Sequence, residues 1–287
     1  MTALVDAHHH LWDLSARDQP WITEAMAPIR RTYGLDDLAA VTAAAGVTAT
    51  VVVQALPDTT ETEELLDLAT ATPLIAGVVG WVDLAAEDVD GQLDRLRSRP
   101  SGSWLVGVRA MAQAQPDPGW LARPSVLDGL REVASRGLVV DLLVRTEQLP
   151  AATAAVSELS EARFVLDHLA KPDIAAKAWE PWAGLVADLA ACPNVSAKLS
   201  GLVTEADWSG WTIDDLRPYA DHALATFGAE RVLFGSDWPV CTLAARYPEV
   251  VASAETLIGG LDAAGRGAVL GGNATTLYRL QDRVGRT

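Results

Sequence analysis

Three places in the chain set imidazoles or a carboxylate where an apolar run gives way to a turn. The first is Val5-Asp6-Ala7-His8-His9-His10. Side chains two apart on a strand share a face, so His8 and His10 project together and His9 points the other way. Two imidazoles on one face are half of a metal site or of an acid–base pair. A chance run or a purification remnant would also supply three histidines, but a remnant is longer and lies outside the fold, whereas this run ends an apolar strand. The second place is His168, which closes Arg163-Phe164-Val165-Leu166-Asp167-His168. A lone histidine in such a setting is commonly a packed core residue, and its position at a strand end is what makes it a candidate. Third, Asp237 follows Val232-Leu233-Phe234-Gly235-Ser236 and precedes Trp238-Pro239. It could cap a helix, but Pro239 and the residues after it put the next helix start several positions away. Three imidazoles and one carboxylate brought together would suit a general base acting on water, or the ligands of one divalent cation.

Bringing them together requires elements that return each strand end to the same place. Eight short apolar, β-rich runs can be read, at 3–8, 47–54, 74–81, 104–109, 138–144, 163–168, 194–199 and 231–236. Segments between them, such as Leu35 to Val41, Glu61 to Leu68, Leu127 to Val133 and Leu216 to Phe227, repeat apolar residues at three and four and read as amphipathic helices. Strand and helix alternating in this way predict an α/β fold, a single-domain (β/α)8 or TIM barrel over residues 1–287. A closed barrel pairs its last strand with its first, which would set Asp237 beside His8 and His10, with His168 on the same rim. Gly271-Gly272-Asn273 caps a last helix, 274–281, expected as a C-terminal helical extension packed outside the barrel. Turns from helix into strand are short, as at Ala45-Gly46, Thr72-Pro73 and Arg136-Gly137, whereas the segments 9–34, 110–123 and 200–213 are long and follow strands. Long connections at the carboxyl ends of strands mark the face on which barrels keep their active sites.

The bulk properties exclude some partners. With 38 acidic against 22 basic residues the formal charge is −16, which repels nucleic acid and anionic bilayers. Runs such as Val51-Val52-Val53 fall far short of the roughly 20 residues that span a membrane. The opening Met1 to Asp6 has no basic segment and breaks at an acid, so the expectation is a cytoplasmic protein acting on a small molecule. Its oligomeric state is not legible. Cys192 and Cys241 lack paired spacing and read as packed thiols, and His222, in mid-helix, reads as structural. Of ten tryptophans, Trp12, Trp21, Trp120, Trp208 and Trp211 fall in the long loops, where they suit sugar faces and lid packing equally. Arg109 and Lys171 end or follow strands. Each could offer a cation to a carbonyl oxygen, a carboxylate or sugar hydroxyls, or hold a structural ion pair.

Several of these residues fall into a pattern. Val5-Asp6-Ala7-His8-x-His10-x-Trp12-Asp13, Gly107-Val108-Arg109, Asp167-His168-x-x-Lys171-Pro172, Lys198-Leu199-Ser200-Gly201-Leu202 and Gly235-Ser236-Asp237-Trp238-Pro239 together resemble the amidohydrolase superfamily in its amidohydrolase 2 branch. Within it, the match is to the sugar-lactonase group that contains L-fuconolactonase and L-rhamnonolactonase. The resemblance runs from the first strand to Asn273. It implies hydrolysis of a small aldonolactone, with Asp237 as general base and His8, His10, His168 and Arg109 or Lys171 steadying the oxyanion. It also implies that Gln54, Trp81, Lys198, Ser200 and Trp238 line the substrate pocket.

The chain departs from the wider superfamily in two places. Arg109 stands where binuclear members carry a bridging lysine, and the fifth strand ends near Asp141 to Arg145 without a histidine, so a two-metal centre is not expected. One divalent cation, zinc by ligand type, on His8, His10 and Asp237 with His168 as a further candidate ligand is one expectation. It rests on an unperturbed aspartate, with a pKa of about 3.9, being a feeble base at neutral pH. A metal-free mechanism is the other, because lactones are already reactive. Two rival functions stand beside these: non-oxidative decarboxylation of an aromatic or unsaturated acid, which in this branch calls on an additional histidine, and a barrel that binds sugar acids without turnover.

Overall fold

The computed structural model describes residues 3–285. Parallel strands β1 (Val5–His9), β2 (Ala49–Val53), β3 (Ile75–Gly80), β4 (Leu105–Ala110), β5 (Val139–Leu142), β6 (Arg163–Leu166), β7 (Val195–Leu199) and β8 (Val232–Phe234) pair in chain order. Between and after them lie α1 (Leu35–Ala45), α2 (Thr59–Thr70), α3 (Val89–Ser98), α4 (Pro124–Ser135), α5 (Leu149–Glu158), α6 (Trp182–Ala190), α7 (Leu202–Glu205), α8 (Ile213–Phe227), α9 (Tyr247–Leu257), α10 (Ala263–Gly267) and α11 (Asn273–Leu277). The ring closes where β8 runs out: Asp237 N donates to His8 O at 2.8 Å, and His10 N donates to Trp238 O at 2.6 Å. The fold is a (β/α)8 TIM barrel.

The strands are Val-rich and buried on both faces, as parallel strands covered by helices must be. Helix starts follow local chemistry. Asp58 accepts from Thr60 N at 2.8 Å to open α2, and Thr212 and Asp215 form a capping box at α8.

Three local departures from the sequence expectations bear on the site. β6 and β8 stop at Leu166 and Phe234, two residues earlier than their apolar runs, because His168 (φ 51°) and Asp237 (φ 57°) adopt left-handed backbone. In β1 the register slips between Asp6 and His9, so that Ala7 and His8 face one residue of β2, a bulge that re-aims the histidines. The C-terminal segment does not lie outside the barrel. Ala274, Tyr278 and Leu280 join Val5, Ala7, Val51, Val53, Val139, Val165 and Leu233 in one interior cluster. Arg163, the first residue of β6, donates to Leu277 O at 2.5 Å, and Asn273 donates to Val232 O at 2.7 Å. The segment therefore covers the amino-terminal end of the barrel, where apolar strand residues would otherwise meet water.

Candidate active site

At the carboxyl end of the barrel four side chains converge. The bulge turns His8 and His10 the same way, with their Nε2 atoms 3.2 Å apart. His168 reaches the same point from a left-handed turn in which His168, Leu169, Ala170 and Lys171 all have φ between 50° and 61°. Four such residues in a row are costly for L-amino acids, and buried Leu169 and Ala170 help to hold them. Asp237 arrives from the turn after β8. Its Oδ1 lies 3.5 Å from His10 Nε2 and 3.8 Å from both His8 Nε2 and His168 Nε2. Two glycines make room: a Cβ on Gly235 would come within 2.7 Å of His8 Cβ, and one on Gly201 (φ 67°) within 2.7 Å of His168 Nδ1.

The outer nitrogens of the imidazoles have partners that bear on their protons. His10 Nδ1 lies 2.8 Å from Val53 O, which can only accept, so its proton is on Nδ1 and its Nε2 lone pair faces the centre. His168 Nδ1 meets Ser200 Oγ at 2.8 Å. His8 Nδ1 has Asp167 Oδ1 at 3.3 Å and Lys198 Nζ at 3.1 Å. Donors on one tetrahedral ion with bonds of about 2.0–2.1 Å sit roughly 3.3–3.4 Å from one another. Asp237 to each of the three imidazoles, at 3.5 to 3.8 Å, and His8 to His10, at 3.2 Å, bracket that value; the ligand atoms of His8, His168 and Asp237 all lie within 4.8 Å of one another, a group that leaves out His10. Three imidazoles and a carboxylate are also a donor set suited to zinc, so the residues present fit a single divalent cation.

Burial and charge set the protonation states. Burial pushes His168 down to about 4 against the pull of Asp237, and pushes His8 well below its ordinary value against Asp167. Burial would raise Asp237, but His168, His10 and His8 outweigh it, and the carboxylate is held below its usual range. His8 and His168 are thus neutral imidazoles beside a fixed anion, the state that binds a cation.

The remaining candidates divide by position. Arg109 is buried, with Nε and Nη2 donating to Gln54 Oε1 at 3.1 and 2.6 Å and Nη1 3.7 Å from Asp167 Oδ2. Gln54 spends its amide on Arg109 and on Met111 Sδ. Lys198 is fully buried between Asp141, Asp167 and His8. Burial lowers its pKa, but the two carboxylates more than restore it, so it stays an ammonium. Lys171, partly exposed, pairs with Glu205 at 3.4 Å. Trp81 is half-buried after β3. Trp238 packs edge-to-face on Tyr33 at 5.2 Å, in a cluster continued by Trp12 and Trp21 that anchors the 9–34 loop. His222 donates to Ala183 O and packs on Trp182, a structural placement.

Sequence reading gave no role to Asp6, Asp141, Asp167 or Tyr278. Asp6 accepts from His8 N, Ser236 N, Ser236 Oγ and Tyr247 Oη and so sews β1 to the turn after β8. The available signal was a lone acid in an apolar strand, as in Val139-Val140-Asp141-Leu142, since a buried charge needs a partner.

The barrel, its carboxyl-end rim of histidines and its aspartate define a hydrolase class that comparison bears out: the chain belongs to the amidohydrolase family, of the amidohydrolase 2 type, matched over residues 5–280. Within that family it is 39% identical to an L-fucono-1,5-lactonase of Burkholderia ambifaria over 98% of this chain and 97% of the relative. It is 38% identical to an L-fucono-1,5-lactonase of Burkholderia multivorans over 97% of this chain and 96% of that one. It also superposes on the crystal structure of a Burkholderia multivorans amidohydrolase with bound zinc, with a TM-score of 0.90 and 38% identity over 96% of this chain and 99% of that chain.

Proposed function

We propose that this protein is a lactonase that hydrolyses a sugar-derived lactone of the 1,5 ring type, L-fucono-1,5-lactone being the lead candidate, to the aldonic acid. The observation that carries the reading is the convergence of His8, His10, His168 and Asp237 at the barrel mouth, in a chain aligned end to end with lactonases. His8, His10 and Asp237, with His168, would hold the cation. When bound it supplies a Lewis acid that polarises a carbonyl and makes water acidic near neutral pH.

The protein's own groups do the rest. Asp237, ionised throughout the neutral range, takes a proton from the attacking water as the water oxygen bonds to the ring carbonyl carbon. The oxyanion that forms is steadied by the positive charge of Arg109, whose burial strengthens its field, and by Lys171 beside His168. The bond from the carbonyl carbon to the ring oxygen then breaks, and that oxygen takes the proton from Asp237, restoring the carboxylate. Gln54 holds the Arg109 guanidinium and Ser200 holds His168, while Trp81 and Trp238 border the mouth. A small neutral lactone suits an acidic protein acting in the cytoplasm.

A panel of sugar lactones followed by acid release, run beside aromatic acids followed by carbon dioxide release, tests the assignment. Acid release from 1,5-lactones and no carbon dioxide is the expected result. Carbon dioxide release with inert lactones would replace hydrolysis by decarboxylation, and binding without turnover would leave a sugar-acid binding barrel. Exhaustive chelation is expected to lower lactone turnover at least a hundredfold, with recovery on adding zinc. Undiminished turnover would return the reaction to the side chains alone.

A further inference from the structure

Beneath the four convergent groups runs a column of buried charge that the proposed chemistry does not touch. Tyr278 Oη, from the C-terminal segment, donates to the Asp141 carboxylate, 2.8 Å from Oδ1 and 2.9 Å from Oδ2. Lys198 Nζ donates to Asp141 Oδ2 and reaches Asp167 Oδ1 at 3.0 Å and His8 Nδ1 at 3.1 Å. Asp141, Asp167, Lys198 and His8 have no exposed surface, so bulk water does not compete for these contacts. An ammonium only donates and an ionised carboxylate only accepts. His8 Nδ1 therefore has a pure donor at 3.1 Å in hydrogen-bond geometry and a pure acceptor, Asp167 Oδ1, at 3.3 Å, within ion-pair range but not aligned for a hydrogen bond.

The two contacts have opposite consequences at the other end of the ring. If Nδ1 accepts from Lys198, the ring proton sits on Nε2 and points at His10 Nε2, 3.2 Å away. If Nδ1 donates to Asp167, Nε2 presents a lone pair to the centre, as a ligand must. The choice depends on how firmly Lys198 is drawn down to Asp141, and Asp141 is held for that task by Tyr278. We propose that Tyr278, Asp141 and Lys198 are positioning residues that set which nitrogen of His8 carries its proton, and thereby the cation affinity of the site. The second half of this statement rests on the cation reading above.

Tyr278→Phe removes the hydroxyl that anchors both Asp141 oxygens and leaves Lys198 as the carboxylate's one charged or hydroxyl partner among the described residues, so that the unanchored pair can shift toward Asp167 and His8. Asp141→Asn keeps the volume and releases Lys198 more fully. Zinc affinity, measured by competition with a chromophoric chelator on the full-length protein, is expected to weaken about tenfold in Tyr278→Phe and further in Asp141→Asn, the range typical when a partner of a metal ligand is lost. In the zinc-free protein, 15N shifts of the His8 ring are expected to move toward the Nε2-protonated form in both variants. Leu280→Ala, in the same segment, serves as the packing control and is expected to lower Tm with zinc affinity unchanged. Wild-type zinc affinity together with an unmoved His8 ring in either folded variant would overturn the proposal, as would a loss of affinity in Leu280→Ala equal to that in Tyr278→Phe. Should the wild type take up no zinc, the cation reading fails, and the His8 ring shifts still decide whether these residues control its proton.

Discussion

Asp237 and Glu61 are both buried carboxyls, and their neighbours push them in opposite directions. Asp237 is ringed by imidazoles and stays ionised. Glu61 Oε2 accepts from Ala55 N and Leu56 N at 2.9 and 2.8 Å, fixing the turn after Gln54, while Oε1 is buried with no partner among the described residues. Burial therefore outweighs the two backbone bonds and pushes Glu61 up to about 7. The folded state binds this proton more tightly than the unfolded chain. Its effect on stability is fully favourable below the unfolded value of about 4.5 and is lost as pH rises to about 7. Glu61→Gln keeps the acceptor and removes the charge. It is expected to match the wild type in stability near pH 4.5 and to exceed it by on the order of 2–3 kcal/mol above pH 7, read from denaturant midpoints. A gap that stays constant with pH would contradict this. The four convergent side chains were legible in the sequence as candidates because each stands at the end of an apolar run. The partners of Asp141 and Lys198 were not, since the cluster draws on β1, β5, β7, the turn after β6 and the segment around Tyr278, which share no local pattern.

At the scale of elements, the site depends on turns rather than strands. Apolar composition carried β6 and β8 two residues too far, because nothing in Asp167-His168-Leu169-Ala170 announces a left-handed turn in the absence of glycine. Alternation put His8 and His10 on one face, and the pair does face one point, but through a bulge in β1 that the residue types do not signal. Glycines are where backbone demand does show in the sequence. Gly201 combines φ 67° with a Cβ position 2.7 Å from His168 Nδ1. Gly201→Ala therefore both strains the backbone and displaces the imidazole. It is expected to cost about 1–3 kcal/mol of stability and to lower kcat at least tenfold, measured by thermal melts and steady-state kinetics. A variant with lowered Tm and unchanged kcat would show that His168 tolerates the shift.

At the scale of the whole molecule, the barrel gathers the four candidate groups at one end and is shut at the other by the segment from Asn273 to Leu280. Eight strands could be counted from the sequence, and closure followed from the count. What the last helix covers could not, because a short helix reads alike on the flank of the barrel and across its base. Truncation after Gly272 removes Tyr278 and Leu280 from the interior cluster, a loss of roughly 3–6 kcal/mol of burial. The truncated chain is expected to be insoluble or to melt at least about 10 °C lower. Unchanged melting would mean that the segment is an ornament.

The claim at the centre is that one rim of residues, gathered from both ends of the chain by barrel closure, opens a sugar lactone ring. The initial rate of acid release from L-fucono-1,5-lactone, taken side by side for the zinc-loaded wild type and for Asp237→Asn of verified fold, tests it most directly. The wild type should run far above spontaneous hydrolysis, and the variant should fall about a thousandfold. A folded Asp237→Asn protein that keeps the wild-type rate, or a wild type no faster than buffer, would contradict the account.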